Sequence, residues 1–456
     1  MKRISEDTMA FYKSVLVLVL PMAIQNLINV GVTAADVFML GYINDTVLSG
    51  ASLAGQVQYI MSLIFFGITS GSAVLAAQYW GKHDTETVEK ILGTALNFSL
   101  ITAVIFSLVS MLFPEWCVSL FTNEQDVIAE GAKYLRILGV SYIFTSVTMI
   151  YLNIMRSVER VVISTVVYSV SLISNIILNW FLIFGKFGLP ELGIRGAAIS
   201  TCISRILEFL IVVFYSLRKK TPVHFRIKEI FVHDKLLFMD FLKYSVPVIL
   251  NELAWGAGGA VNTCIIGHLG QSAVAANSVA QVARQLATVV AFGISNSTAI
   301  MIGKAIGSGQ MKRAEEYGRR FVRLSLTVGA CAGLIILIIR PFLINSVNLT
   351  SQAREYLGQM LIVMSYFVVA QAFNTTMVVG VFRAGGDIIF GLIMDISAMW
   401  GGSILLGTIA AFVLKLSVPV VYIILMSDEI FKIALSAYRY RTKKWLKNVT
   451  REKINT

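Results

Sequence analysis

The sequence predicts an all-α polytopic membrane protein in which twelve transmembrane helices form two pseudo-symmetric lobes of six. Of its 456 residues, 56% are hydrophobic and only 14% are charged, whereas soluble proteins carry about 25% charged residues. Apolar runs such as 14–35 reach the length of about 20 residues that a helix needs to cross a bilayer. An internal repeat, described below, divides the helices into two sets.

Twelve apolar segments lie between charged or turn-rich breaks, and each is a predicted membrane helix. In the first half they cover 14–42, 51–79, 92–113, 133–155, 164–186 and 194–217. In the second half they cover 240–268, 276–303, 317–340, 353–380, 388–413 and 416–438. The predicted organisation is an N-terminal lobe (1–217), a basic cytoplasmic linker (218–239), a C-terminal lobe (240–440) and a basic cytoplasmic tail (441–456).

Positive charge follows the even-numbered helices. The linker, the loop around Lys304–Arg323 and the tail are rich in Lys and Arg, while the loops after odd-numbered helices are poor in them. By the positive-inside rule both termini face the cytoplasm of a multi-pass protein in the cell (inner) membrane. The net charge of +12 is therefore a topology signal, and we expect the lipid bilayer, not nucleic acid, as a partner.

A gapless repeat relates the two halves. Adding 226 to residue numbers from 21 to 81 superposes Pro21 on Pro247, Gly81 on Gly307 and the segment 66–68 on 292–294, which are both Phe-Gly-Ile. Parallel six-helix repeats with a site between or within the halves are a transporter architecture. The sequence lacks the GxxxxGK[ST] phosphate loop, so an ion gradient is the expected energy source. Because the four histidines are scattered and the loops are short, we expect no enzyme and no cofactor.

Asp36 and Glu252 are isolated acids inside predicted helices, where a charge costs roughly 2.5–3.5 kcal/mol. Asp36 is in the first helix and Glu252 is in the seventh, at positions that the repeat does not equate. Either acid could exchange a proton or Na⁺ for a cationic substrate. Alternatively, Asp36 makes a hydrogen bond that packs helices, and Arg284 of the eighth helix neutralises Glu252. Asp395, in the eleventh helix, is open to both interpretations.

Amide and hydroxyl groups are available near Asp36. Asn175 and Asn179 lie on one face of the fifth helix, at positions i and i+4, and Thr201 lies in the sixth. Their oxygens suit a hard cation, although Asn and Ser also join membrane helices. Arg205 and Glu208, at positions i and i+3 of the sixth helix, are expected to pair.

Several segments together resemble one family. They are Asp36-Val-Phe-Met-Leu-Gly41 after Pro21, Gln78-Tyr-Trp-Gly81, Asn153-Ile-Met-Arg156, Gly193-Ile-Arg-Gly196 with Thr201, and Gly380-Val-Phe-Arg383-Ala-Gly-Gly-Asp387. As a set they resemble bacterial multidrug and toxic compound extrusion (MATE) transporters over nearly the whole chain.

The resemblance implies a V-shaped pair of lobes around a central cavity and cation-coupled antiport by alternating access. It implies that Asp36, Asn175, Asn179 and Thr201 form the N-lobe cation or proton site, which would hold Na⁺ if the protein is sodium-coupled. Glu252 matches an acid that serves the C-lobe in some members, with Asn374 and Asp395 as further C-lobe candidates for coupling or substrate binding. Asn179 replaces an acid found in some relatives. In the tenth helix, Gln371 and Asn374 stand where another branch has a second carboxylate, which weakens the C-lobe assignment.

The leading functional hypothesis is a monomeric secondary transporter that exports organic, cationic and amphipathic small molecules in exchange for Na⁺ or H⁺. The alternative is a flippase for lipid-linked saccharides, or an exporter of another polar metabolite, on the same fold. A flippase is expected to have a basic cavity, whereas the helices of the first half carry an acid and amides. The sequence leaves the choice between Na⁺ and H⁺ open.

Overall fold

The computed structural model of the protein describes residues 2–188, 190–218, 221–224, 234–347 and 349–451. Within these ranges the chain forms helices and short connections, with no strands. Half of the predicted linker, namely 219–220 and 225–233, lies outside the described residues, as do residues 452–456 of the tail.

The first half of the chain forms seven helices, six of them long. A short helix, α4, follows Phe113 and begins with a proline, whose fixed φ suits the first helical turn. The bounds are α1 Lys2–Gly41, α2 Asp45–Gly81, α3 Thr85–Leu112, α4 Pro114–Ser119, α5 Gln125–Ser157, α6 Val162–Ile183 and α7 Ile194–Ser216.

The second half repeats the pattern up to its last segment. Its helices are α8 Lys235–His268, α9 Gln271–Gly307, α10 Met311–Ser346, α11 Ser351–Phe382, α12 Ile388–Val413, α13 Val418–Leu425 and α14 Asp428–Arg441. Residues 376–382 of α11 and parts of α12 are π-helical. Such wider turns are frequent at functional sites.

The structure differs from the prediction at the twelfth segment. The predicted span 416–438 is interrupted after Leu425, and a second helix starts at Asp428. The start of α14 carries Asp428 and Glu429, which suit the positive end of the helix dipole. Among the described residues, ten helices are long and apolar enough to cross a membrane, and the chain is a multi-pass membrane protein.

The chain divides into two compact units, and three helices pass from one to the other. The first, here called the N-terminal unit, contains residues 24–76 and 84–249; the second, the C-terminal unit, contains 1–23, 77–83 and 250–456. The boundaries in α1 and α8, at 23/24 and 249/250, fall at positions that the repeat equates. Each lies just after a helix-internal proline, Pro21 in α1 and Pro247 in α8. Because proline removes a helical hydrogen bond, both helices are weakest next to the point where they change unit.

Within the C-terminal unit, the ends of α2 and α9 pack backbone against backbone. A Cβ placed on Gly81 would overlap the Lys304 carbonyl oxygen, and one placed on Gly307 would overlap the Gln78 carbonyl oxygen. The repeat relates Gly81 to Gly307 and also Gln78 to Lys304, so the two contacts are copies of each other. The close approach needs glycine on both helices, since there is no room for a methyl group.

Candidate functional site

The N-terminal unit brings the four predicted residues together. Asn179 of α6 donates from Nδ2 to Asp36 Oδ1 of α1 at 2.6 Å, and also to Asn175 Oδ1 at 3.2 Å. Asn175 in turn donates to Thr201 Oγ1 of α7 at 3.4 Å. The i, i+4 spacing keeps both amides on one face of α6, and their hydrogen bonds join them to Asp36 of α1 and Thr201 of α7.

The hydrogen-bonded chain of Thr201, Asn175, Asn179 and Asp36 is here called the relay. It is buried at its first three members and half-buried at Asp36. Asn175, Asn179 and Thr201 are 1%, 0% and 7% exposed, whereas Asp36 is half-buried. The hydrogen bond from Asn179 occupies one oxygen of the Asp36 carboxyl, and the second oxygen can still accept a proton or a cation.

One oxygen of these four side chains, Asn179 Oδ1, is buried and has no hydrogen-bond partner in the described part of the chain. Such a group is costly to bury, and an amide oxygen next to a carboxylate is a ligand type that hard cations prefer. As oriented, the amide of Asn179 turns its nitrogen to Asp36. For Asn179 Oδ1 and the Asp36 carboxylate to bind one cation together, the amide would have to rotate so that its oxygen faces Asp36.

Two further side chains belong to this site that the sequence did not single out for it. Tyr134 of α5 lies within electrostatic reach of Thr201 and Asp36. Arg205 interacts with Asp36 over a longer range, and it donates to Glu208 Oε1 at 2.6 Å. The predicted Arg205–Glu208 pair is thus confirmed. No periodicity marks Tyr134, which is far from Thr201 in the sequence, and only the packing of α5 against α7 identifies it.

In the C-terminal unit, Glu252 forms an ion pair with Arg383. Glu252 of α8 accepts a hydrogen bond at Oε1 from Nη2 of Arg383, the residue that follows α11, at 2.8 Å. Arg284, which the sequence offered as one possible counter-charge for Glu252, donates to Gln281 and lies over the ring of Phe367. The sequence did not point to Arg383 as the partner, because helical spacing says nothing about which distant segments pack together.

A buried lysine organises the remaining acids of this unit. Lys432 of α14 is 3% exposed, and its Nζ lies 2.7 Å from Glu429, 3.3 Å from Asp395 and 3.4 Å from Asp428. Asn251 of α8 donates to the second oxygen of Asp395 at 3.0 Å. The lysine ammonium therefore lies where carboxylate oxygens from α12 and α14 converge.

Asn374, at the tenth predicted helix, joins the same cluster. Its Nδ2 donates to Glu429 Oε2 at 2.8 Å and to the Glu429 carbonyl at 2.6 Å. Ser436 donates to Asn374 Oδ1 at 3.3 Å. The sequence prediction included Asn374 and Asp395 but omitted Asp428, Glu429 and Lys432. The signal was present, since charges within a predicted apolar span always require a reason.

The C-terminal cluster and its neighbouring ion pair carry an excess of negative charge. Asp395, Asp428, Glu429 and Glu252 stand against Lys432 and Arg383, which leaves a formal charge of −2 when all six groups are ionised. Buried charge of one sign favours the uptake of protons or the approach of a cation.

Comparison with known proteins identifies the family. A family model described as MatE matches residues 21–181 and 247–409, two stretches that begin at the equivalent prolines Pro21 and Pro247. The chain belongs to the MatE family. Members of this family are multidrug and toxic compound extrusion transporters. The chain is accordingly a transporter and not an enzyme, and the family needs no cofactor.

Curated relatives and solved structures agree with this assignment. The chain is 26% identical over 369 residues to the probable multidrug resistance protein YoeA of Bacillus subtilis, covering 80% of this chain and 79% of the relative. It is 23% identical to the probable multidrug resistance protein NorM of Thermotoga maritima, covering 98% and 97%. The fold matches a crystal structure of MATE in the bent conformation with a TM-score of 0.86 at 18% identity, covering 95% and 96%.

A second structural neighbour has a different description. A MOP superfamily transporter from Pyrococcus furiosus matches with a TM-score of 0.85 at 17% identity, covering 94% of this chain and 95% of that chain. The polarity of its binding pocket is described as reversed, which suggests a different function for that protein. Likeness of fold therefore leaves the cargo of this MatE-family protein to its own side chains.

Proposed function

We propose that this MatE-family transporter exports organic cations in exchange for Na⁺ or H⁺, and that the exchanged ion binds at Asp36. The observation that carries the proposal is the buried relay from Thr201 through Asn175 and Asn179, which ends on the Asp36 carboxylate. A chain of amides and a hydroxyl around one intramembrane acid is an ion site by its chemistry.

Ion binding at Asp36 would act on the contact between α1 and α6. The Asp36–Asn179 hydrogen bond, at 2.6 Å, joins these two helices. A proton or a cation on the carboxylate weakens or rearranges that bond, and so shifts the balance between two packings of α1. A ligand drives such a shift only by its difference in affinity for the two packings.

The charge of the C-terminal unit supports a cationic cargo. The excess of carboxylates around Lys432 attracts a cation and repels an anion. Because the Lys432 ammonium already binds these carboxylate oxygens, we place the exchanged ion in the N-terminal unit. We assign Glu252, Asn374 and Asp395 to cargo recognition.

The deciding experiment uses purified protein in liposomes with imposed Na⁺ and pH gradients varied separately. A fluorescent organic cation should move only when one of the gradients is present. Asp36→Asn should reduce gradient-driven flux by about tenfold or more, because hydrogen bonds to charged groups are worth about 1.5–3 kcal/mol and each 1.4 kcal/mol is about tenfold. Unchanged flux and coupling in the Asp36→Asn protein would exclude Asp36 as the ion site.

The second candidate is a flippase for lipid-linked saccharides or an exporter of another polar metabolite. The observation in its favour is the structural neighbour with the reversed pocket polarity. The amides and acids of this chain argue against an anionic, phosphate-linked cargo. Flipping of a lipid-linked saccharide in the same liposomes, with no flux of organic cations, would establish this alternative.

We also propose that the transporter is a monomer in the cell (inner) membrane, with both termini in the cytoplasm. The clustering of Lys and Arg after even-numbered predicted helices supports this orientation.

A further inference from the structure

Residues 442–451, here called the strap, follow α14 and pack into the C-terminal unit. Trp445 is fully buried and stacks on Tyr440 with ring centroids 5.6 Å apart. The Trp445 carbonyl lies so close to Gly385 that a Cβ there would overlap it. A buried tryptophan contributes a large apolar area, so Trp445 anchors this basic segment in the core.

The strap binds the end of α2 through one fully buried glutamine. Gln78 is 0% exposed, and its Nε2 donates to the carbonyls of Ala384 at 2.7 Å and Lys447 at 3.2 Å. Its Oε1 accepts from the backbone N–H of Val449 at 2.8 Å. The amide of Gln78 thus joins α2 both to the turn after α11 and to the strap.

Two more hydrogen bonds extend the contact toward the end of the described chain. The N–H of Arg451 donates to the Tyr79 hydroxyl at 3.1 Å, and Lys82 Nζ donates to the Arg451 carbonyl at 2.6 Å. Successive parts of the strap are therefore bonded to successive parts of the α2 end.

Different interactions hold the two parts of the strap in place. The ion pairs of Lys443 with Glu315, at 2.9 Å, and of Lys447 with Asp387, at 3.0 Å, involve lysine side chains that are more than half exposed. The exposed pair of Lys443 is worth little and is screened by salt. Asp387 is itself buried, but it keeps Arg439 as a partner when Lys447 leaves. Residues 447–451 are thus held mainly by hydrogen bonds, whereas Trp445 is held by burial.

The strap also breaks the internal symmetry. Gln78 of α2 and Lys304 of α9 are equivalent by the repeat, and each packs against a glycine of the other helix where α2 crosses α9. The strap binds Gln78. It therefore acts on α2, which passes from the N-terminal to the C-terminal unit between residues 76 and 77.

We propose that residues 447–451 are a releasable latch on the end of α2, and that their release while Trp445 stays buried is a step of the transport cycle. The inference rests on the proposed export activity for its functional consequence. Release would free residues 77–83 from the strap and leave in place their contact with α9 and the hydrogen bond from Gln78 to the Ala384 carbonyl.

The experiment uses the full chain with its four cysteines replaced by serine. A Lys82→Cys/Arg451→Cys protein is cross-linked with a short reducible bifunctional thiol reagent, which fixes the latch. The matched control is Glu315→Cys/Lys443→Cys, which ties the start of the strap to α10 and leaves residues 447–451 able to move. We expect the first cross-link to reduce flux of a fluorescent organic cation at least tenfold, with recovery on reduction, and the control cross-link to leave flux unchanged.

A second readout does not require that the exported compound be known. In a Val449→Cys protein, the rate of labelling by a maleimide should rise several-fold when an ion gradient is imposed across the liposome. Faster labelling without any export would support the latch and speak against the proposed cargo. Complete cross-linking of residues 82 and 451 with unchanged flux, equal arrest by both cross-links, or a labelling rate that ignores the gradient would overturn the latch.

Discussion

At the scale of single residues, the proposed ion site at Asp36 depends on the orientation of one amide. Asn179 turns its nitrogen to the carboxylate and leaves its own oxygen without a partner among the described residues. In this orientation Asp36 can take a proton on its second oxygen directly. Sodium would require the amide to turn, so that its oxygen and the carboxylate become ligands together.

Replacing Asn179 should therefore affect Na⁺-driven and H⁺-driven flux to different extents. Asn179→Leu removes the amide at similar volume and should weaken Na⁺-driven flux by about tenfold or more, while H⁺-driven flux through Asp36 falls less. The measurement is liposome flux under each gradient alone. Asn277→Leu, at a buried amide of α9, is the control and should behave as wild type. Equal loss under both gradients would mean that Asn179 serves only to hold Asp36 in place.

Asp387, in the turn between α11 and α12, gives the stability of the protein a dependence on pH. Burial raises the pKa of this carboxyl, but hydrogen bonds from Arg439 and Lys447 outweigh burial and hold the pKa below its usual value. A carboxyl whose pKa is lower in the folded state stabilises the protein above its unfolded pKa of about 3.9. That contribution is lost as the pH falls through the folded pKa.

The melting temperatures of wild type and Asp387→Asn in detergent test this expectation. Wild type should be the more stable protein above about pH 4, by a constant margin, and the margin should shrink at lower pH. Arg439→Gln should reduce the margin, since it removes two of the hydrogen bonds to Asp387. A margin that grows on acidification would contradict the assignment.

At the scale of elements, the crossing of α2 and α9 depends on paired glycines. Gly307→Ala would drive a methyl group into the Gln78 carbonyl oxygen, and the backbone has to shift to accommodate it. We expect a loss of about 1–3 kcal/mol and a lower melting temperature. Gly267→Ala, at an α8 position with nothing within 4 Å, is the matched control. Equal melting temperatures for the two variants would show that the crossing is loosely packed.

The charges in the last predicted helix explain why the structure divides it into α13 and α14. Hydropathy alone joined 416–438 into one span, but Asp428, Glu429 and Lys432 lie within it. The structure ends α13 before these charges and begins α14 with them. The new helix start satisfies the acids through the helix dipole, and the lysine satisfies them through ion pairs.

At the scale of the whole molecule, the proposed orientation is directly testable. In a cysteine-free background, Asp126→Cys lies in the first turn of α5 and Gln310→Cys lies in the connection before α10. A membrane-impermeant thiol reagent added to intact cells should label residue 126 at once and residue 310 only after permeabilisation. The reverse pattern would show that the charge bias of the loops misassigns the termini.

The repeat extends further in the structure than sequence identity shows. The points at which α1 and α8 change unit are equivalent by the repeat, as are the paired glycines of the α2–α9 crossing. Polar groups do not follow it. Asp36 and its relay have no copy at the equivalent depth, and the acids of the C-terminal unit surround a lysine instead.

The membrane class and the two related halves follow from the sequence alone, because hydropathy and a fixed offset are local or periodic properties. The set of Asp36, Asn175, Asn179 and Thr201 was implied by the resemblance to the MATE family, since helical spacing places only the two asparagines on one face. Only the tertiary structure decided that Arg383 neutralises Glu252, that Lys432 holds Asp395, Asp428 and Glu429, and that the strap reaches Gln78. Most of these contacts join residues of different helices or a helix and a loop, and their partners are fixed by packing, which no period in the sequence records.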